Sequence, residues 1–300
     1  MSRDPAAEIS PNLFGLDQAN GLKPINNNPP ARQPEANNEA SAARGQETKF
    51  MKTRCKYRFA PAFSVLLLLS FVAVSWNAKV DAAATGKITG TIKLTGTPPH
   101  QKTIDMSKEP FCAKEHAANP VTTEGVVAGP NGGLKWVVVY ISEGLDPASA
   151  NQVPSVTPTF DQKNCQYIPH VMAVDVNQHF KVVNSDPHSH NIHPLPAPGG
   201  PNHEWNKSQP QGAPPIDTAW TAPEVAIHVK CNIHPWMSGY MAVVKGPSAI
   251  SDENGSYTLD NVPPGNYTLT AWQETYGAQT QKVTVGAGAT AKADFTYRAK

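Results

Sequence analysis

The sequence predicts an all-β protein of the Greek-key sandwich type. Three observations carry that expectation. Twenty-nine prolines and 21 glycines interrupt the chain too often for long helices. Apolar residues come in short alternating or continuous runs bounded by turn residues, which is how strands are spaced. Residues able to hold a metal gather where such runs end, in SHNIH (189–193) and CNIHPWM (231–237). With 300 residues the chain has room for two domains. A formal net charge of +1, with no stripe of Lys or Arg, gives no reason to expect a nucleic-acid partner.

Residues 1–50 are rich in Asn, Pro, Ala, Gln and Glu, have no apolar period, and are expected to be disordered or untranslated. Met51 opens a different text. Lys52, Arg54, Lys56 and Arg58 precede an apolar run from Ala62 to Trp76, and small residues follow at Ala82, Ala83 and Ala84. Segment 51–84 therefore reads as a secretory signal peptide cleaved near Ala82, the apolar run being shorter than the roughly 20 residues that span a bilayer. The mature chain is then expected to be periplasmic or secreted, with no membrane span after signal removal. Export also changes the cysteine count. Cys55 leaves with the signal, so Cys112, Cys165 and Cys231 remain, an odd number for an oxidising compartment. Because Cys231 lies in the metal-like turn, Cys112 and Cys165 are the candidate disulfide; three buried thiols are the alternative.

The first strand is GKITGTIKLTG (86–96), where Ile88, Ile92 and Leu94 alternate with Lys and Thr and Gly90 takes an inward slot. Residues 97–133 carry Pro98, Pro99, Pro110, Pro120 and Pro130 and read as a long loop pinned by Cys112. LKWVVVYIS (134–142) is a continuous β-branched run, expected to be a strand buried on both faces. A linker runs from Glu143 to about Val156. MAVDVNQHFKVV then gives two strands turned at Asn177 and Gln178, followed by the His-rich segment and a Pro/Gly-rich excursion over 194–215. EVAIHVKC (224–231) and GYMAVVKG (239–246) are the last strands of this block. The tail supplies four more short strands, with turns at Asn254-Gly255 and Pro263-Pro264-Gly265. Those four are too few to bury a core alone. They are expected to pair with 86–94 and 134–142, so that the expected units are 85–154 and 247–300 as one small sandwich, with 155–246 inserted between its second and third strands.

Cys231, His234 and Met237 stand in the spacing C-x2-H-x2-M. A thiolate, two imidazoles and a weak axial thioether hold copper as an electron-transfer centre, because this set suits both oxidation states. Pro235 stiffens the short loop by fixing its own φ. The second imidazole has to come from another strand end, and His188, His190 and His193 are the candidates.

VVNSDPHSHNIH followed by CNIHPWMSGYMAVV resembles the cupredoxins, and among them the amicyanin and plastocyanin-like small blue copper proteins. Asn184 lies six residues before His190, Asn191 follows it, and the C-x2-H-P-x-M turn comes later. The resemblance implies copper ligands His190, Cys231, His234 and Met237, with Asn191 tying the two loops together behind them. His193 is expected beside the ligands or at the surface rather than among them. The likeness covers roughly 159–246 and departs from the pattern at His188, His193 and the insertion 194–215. GSYTLDNVPPGNYTLTAW resembles the carboxypeptidase regulatory-like, prealbumin-like modules, and GKITGTIKLTG resembles their opening strand. Such modules are structural or carbohydrate-binding-like and carry no catalysis themselves.

The expected function is an exported type 1 copper protein, not an enzyme, that shuttles single electrons between redox protein partners. His234 would be its exposed exit, with Trp236 and Pro235 as a docking patch. Two alternatives stand beside it: a copper-storage or delivery protein, favoured if His188, His193 or His170 bind further metal, and a carbohydrate- or surface-binding module without a redox role.

Overall fold

The computed structural model describes residues 84–299, which fall in one compact unit, Ser75–Lys300. The upstream segment 1–50 and the signal segment, up to Ala83, lie outside the described residues. Among those described, helix is confined to α1 (Pro110–Glu115) and α2 (Pro147–Ala150), and no helix is long and apolar enough to cross a membrane. Everything else regular is strand. The first seven are β1 (Gly86–Thr95), β2 (Val138–Glu143), β3 (Thr159–Lys163), β4 (Gln166–Ile168), β5 (Val171–Asp175), β6 (Phe180–Asn184) and β7 (His190–Leu195). Next come β8 (Lys207–Gln209), β9 (Ile216–Thr218), β10 (Glu224–Lys230), β11 (Ser238–Val244) and β12 (Ser248–Ile250). The tail holds β13 (Ser256–Val262), β14 (Gly265–Gln273), β15 (Gly277–Val285), β16 (Thr290–Lys292) and β17 (Phe295–Arg298).

These strands form four sheets. One is ordered β13-β1-β16, with β17 also paired to β1, and a second is β12-β2-β14-β15. Their facing sides enclose a core of Ile88, Ile92, Val139, Ile141, Leu259, Leu269 and Phe295. The other two are β5-β11-β10-β7-β8 and β4-β3-β6-β9, which enclose Phe160, Tyr167, Val174, Phe180, Ile192, Ile227, Val229 and Met241. A smaller cluster, Val138, Val171 and Ala242 with Tyr140, Tyr240 and Trp272 against it, joins the back of the β2 sheet to the back of the β5–β11 pair. Strand β2 is therefore covered on both faces, Val139 and Ile141 on one and Val138 on the other, as its unbroken apolar run requires.

Several local features differ from the sequence reading. The strand expected over 134–142 begins only at Val138, because Trp136 takes φ 64° and turns its indole N–H to Glu124 Oε1 at 3.1 Å. The 97–133 loop contains α1, whose Cys112 is buried, and the 194–215 excursion contains β8. The turn at Asn177 (φ 65°) makes no hairpin: β5 pairs with β11 and β6 with β3, so the chain crosses between sheets there. Gly90 is required by close approach. The carbonyl of Ala293 crosses β1 where β16 gives way to β17, accepts from the Tyr257 hydroxyl at 2.7 Å, and occupies the space that a Cβ at residue 90 would need.

Asp175, at the end of β5, is buried and accepts from the Gly246 N–H at 2.6 Å. Burial pushes its carboxyl up to about 6, the Gly246 hydrogen bond offsetting part of the rise from 3.8. The folded chain thus binds more protons than the unfolded one between those values, and stability falls as pH rises through that window. Asp175→Asn keeps the acceptor and removes the buried charge. Thermal melts should put the variant about 3 °C or more above the parent at pH 7 and level with it below pH 4; equal melting temperatures at both would refute the assignment.

Candidate metal centre

Strands β10 and β11 form an antiparallel pair whose connection, 231–237, is closed by its own backbone. The Met237 N–H donates to His234 O at 2.9 Å and the Cys231 N–H to Met237 O at 3.3 Å. Strand β7 lies on the other side of β10, with Lys230 opposite His193. Carried two residues further, that register sets Asn232 opposite Asn191. The Asn191 side chain uses this placement: its Oδ1 accepts from the N–H groups of Asn232 at 2.7 Å and Ile233 at 3.3 Å, and from the Cys231 thiol at 3.3 Å. Its Nδ2 donates to Asn206 Oδ1 at 2.7 Å.

His190, Cys231 and His234 converge within the core. Their ligand atoms lie within 4.8 Å of one another and all three residues are buried. His190 Nδ1 is 2.9 Å from His234 Nδ1, which is 3.8 Å from Cys231 Sγ. Met237 is buried in the same core cluster as Cys231. His193 is on the same strand as His190 but turns to Asn232 Oδ1 at 3.0 Å and Glu204 Oε1 at 2.5 Å, so it braces the loop beside Cys231. Cys112 and Cys165 form a disulfide. His170 is held apart from this centre, with Nε2 2.7 Å from Glu274 Oε2 and Nδ1 3.2 Å from the Ser238 carbonyl.

Electrostatics prepare the thiol for a cation. Burial works against ionisation of Cys231, but hydrogen bonds from His190, His234 and the backbone of Asn191 and His234 outweigh it and bring the thiol down to about 5. Burial likewise opposes charge on His190, yet hydrogen bonds to Asp186 and Cys231 raise it overall. Both shifts ease the loss of the sulfur proton, whose place a bound cation would take.

Two residues that the sequence reading did not name, Asp186 and Glu109, belong here, together with His188, which it named only as one of three candidate imidazoles. Asp186 accepts from His190 Nε2 at 2.7 Å, from the Asn164 N–H at 2.7 Å and from the Cys165 N–H at 2.8 Å, so it directs His190 Nδ1 toward the sulfur. Its signal was an Asp four positions before His190 in the NSDP turn. His188 packs its ring 4.4 Å from that of His190 and 5.2 Å from that of His234. Glu109, at the start of α1, brings a carboxylate oxygen 3.7 Å from His234 Nε2.

That last contact corrects the expectation of an exposed His234. The ring is 1% exposed, because α1, pinned by the disulfide, lays Glu109 over its edge. Trp236 folds against it with ring centroids 5.1 Å apart and donates its indole N–H to Cys165 O at 3.1 Å. The tip of the loop is exposed instead at Ile233 and Pro235.

The described chain is thus a β-sandwich protein with a buried His/Cys cluster at one loop end. Residues 242–298 match the family model of the carboxypeptidase regulatory-like domain, and β1 and β2, outside that match, complete its two sheets. Among curated proteins there is no match. Solved structures similar to it include an amicyanin from Paracoccus versutus, 14% identical, covering 35% of this chain and 96% of that one at TM-score 0.26. A reduced amicyanin variant is 19% identical over 35% of this chain and 97% of its own, at TM-score 0.26. A copper-containing nitrite reductase from Thermus scotoductus is 21% identical over 34% of this chain, which spans only 27% of that enzyme, at TM-score 0.27. These likenesses are weak, and the chemistry of the centre rests on the geometry of the cluster alone.

Proposed function

We propose that this chain is an exported one-electron carrier whose His190, Cys231 and His234 hold a single copper ion, with Met237 as the weak axial ligand. The observation that carries the reading is the convergence of one thiol and two imidazole Nδ1 atoms inside the buried core. Such a donor set fits copper, since thiolate suits Cu(I) and imidazole suits both states. Copper bound there would supply a one-electron couple. The residues around it do the rest: Asp186 orients His190, Asn191 ties the two loops, and the sheets on either side exclude water and hold the ligands still. A redox partner protein would dock at Ile233 and Pro235, the exposed apolar tip beside the buried His234. No catalytic role, nucleic-acid partner or membrane span is proposed, and the compartment is periplasmic or extracellular.

The test is an absorption spectrum of the chain loaded with Cu(II). An intense visible thiolate-to-copper band is expected, lost in Cys231→Ser, while Met237→Leu shifts the reduction potential and keeps the ion. Absence of the band in the parent chain would sink the reading. Copper storage or delivery is the second reading, favoured by the extra imidazole of His188 against His190 and His234; more than one tight copper per oxidised chain would select it.

A further inference from the structure

The His190/Cys231/His234 centre leaves one neighbouring imidazole without a role. His188 Nδ1 is buried with no hydrogen-bond partner. Its Nε2 faces two sulfurs instead of an oxygen or nitrogen, Cys112 Sγ at 3.7 Å and Cys165 Sγ at 3.8 Å. The ring is held in this direction by Phe111 on one side, 4.6 Å between centroids, and by His190 on the other at 4.4 Å. Disulfide sulfurs are weak partners for an imidazole nitrogen, whereas two free thiolates facing that same Nε2 would make a metal-ligand set with it. The sulfurs are bonded to each other, so in the oxidised chain neither is free to bind an ion.

We propose that reduction of the Cys112–Cys165 bridge opens a second metal site, formed by Cys112, Cys165 and His188, for one soft or borderline cation such as Cu(I) or Zn(II). Two sets of donor atoms each lie within 4.8 Å of one another: Cys112 with His188 and His234, and Cys165 with Asp186 and His188. His188 is common to both, so the two thiolates meet on one nitrogen. Two thiolates and an imidazole select Zn(II) or Cu(I) over harder cations, and Asp186 stands near enough to add an oxygen. Both cysteines are fully buried, whereas His188 is partly open and Pro187 and Ser189 beside it are exposed, so the ion would enter past that loop.

The chemistry closes with a dithiol as reductant. Its two S–H bonds are lost as it forms its own disulfide; the two electrons and two protons pass to Cys112 and Cys165, whose S–S bond breaks to give two thiols. The cation then displaces both protons to solvent. Cys231 takes no part, so the proposal goes beyond the copper reading and does not depend on it.

Cobalt(II) is the probe, because thiolate-to-cobalt absorption reports sulfur ligation. The oxidised chain, and the same chain reduced with dithiothreitol and freed of it under argon, are titrated in parallel. One equivalent is expected in the oxidised form and two in the reduced form, with His188→Ala lowering affinity for the second by at least about tenfold. Cys231→Ser should lose the first equivalent and keep the second. Equal stoichiometry in both redox states overturns the proposal, as does a second equivalent held equally well by His188→Ala. If reduction unfolds the chain, added cobalt is expected to restore the folded circular-dichroism spectrum, and a chain that stays unfolded also refutes it. An oxidised chain that takes up no cobalt argues against the first centre only; the difference between redox states still decides the second.

Discussion

Asp186→Asn is expected to weaken metal binding at the first centre by about 10- to 100-fold, the range for a group that orients a ligand from behind. The carboxylate accepts three hydrogen bonds, from two backbone N–H groups and His190 Nε2. Burial alone would raise its pKa, but the hydrogen bonds with His190, Cys165 and Asn164 outweigh it and hold the carboxyl below its ordinary value. With three donors pointing at it, an amide in its place must turn its NH2 toward at least one of them. If that one is His190, the ring proton moves from Nε2 to Nδ1, and the lone pair aimed at the sulfur is gone. If it is a backbone N–H, a buried donor is orphaned at a cost of about 1–3 kcal/mol. Calorimetric titration with cobalt(II), alongside a thermal melt of the metal-free variant, separates the two outcomes. Unchanged affinity and unchanged melting temperature together would mean that Asp186 orients nothing.

Asn191→Ala is expected to lower the metal-free melting temperature by about 4–8 °C, taking roughly 2 kcal/mol for the lost loop-to-loop hydrogen bonds. Oδ1 of this buried side chain joins β7 to the ligand loop through the Asn232 and Ile233 N–H groups, while the Tyr167 hydroxyl holds its own carbonyl at 2.7 Å. Alanine leaves the strand in place, cuts the tie to the loop and also drops the Nδ2 hydrogen bond to Asn206 Oδ1. The readout specific to that tie is amide hydrogen exchange over 231–237, which should accelerate while β10 and β11 stay protected. Exchange that stays slow in the loop would show that its own turn hydrogen bonds suffice.

How far each feature could be read in advance follows the distance over which it is built. The C-x2-H-x2-M turn occupies seven consecutive residues, so spacing alone brought Cys231, His234 and Met237 to one loop. The Asn184 and Asn191 positions were legible through resemblance, and the alternation of Ile88, Ile92 and Leu94 told inside from outside without help. The short starts of strands were harder. The run at 134–142 looks uniform, yet Trp136 leaves it for a partner in the preceding loop, an exchange no β-propensity reveals. In the sequence Asp186 is an Asp before a Pro, ordinary turn chemistry; only its three converging donors make it more. Glu109 carried no signal, and His188 only that of one imidazole among three candidates, since each gains its meaning from a neighbour far along the chain.

The strand-rich character, most of the strands, the donor types and their loop were therefore settled by the chain's local text: alternation, turn residues and close spacing act within a few positions. The tertiary structure alone decided three further matters. Packing of the β2 sheet against β5 and β11 stacked the two sandwiches back to back. The disulfide-pinned helix buried His234 and left Ile233 and Pro235 as the exposed tip. The crossing from β6 into β7 set His188 against the two sulfurs. Each depends on segments joined across long loops, whose contacts are won by packing energy against closure entropy rather than by any local preference.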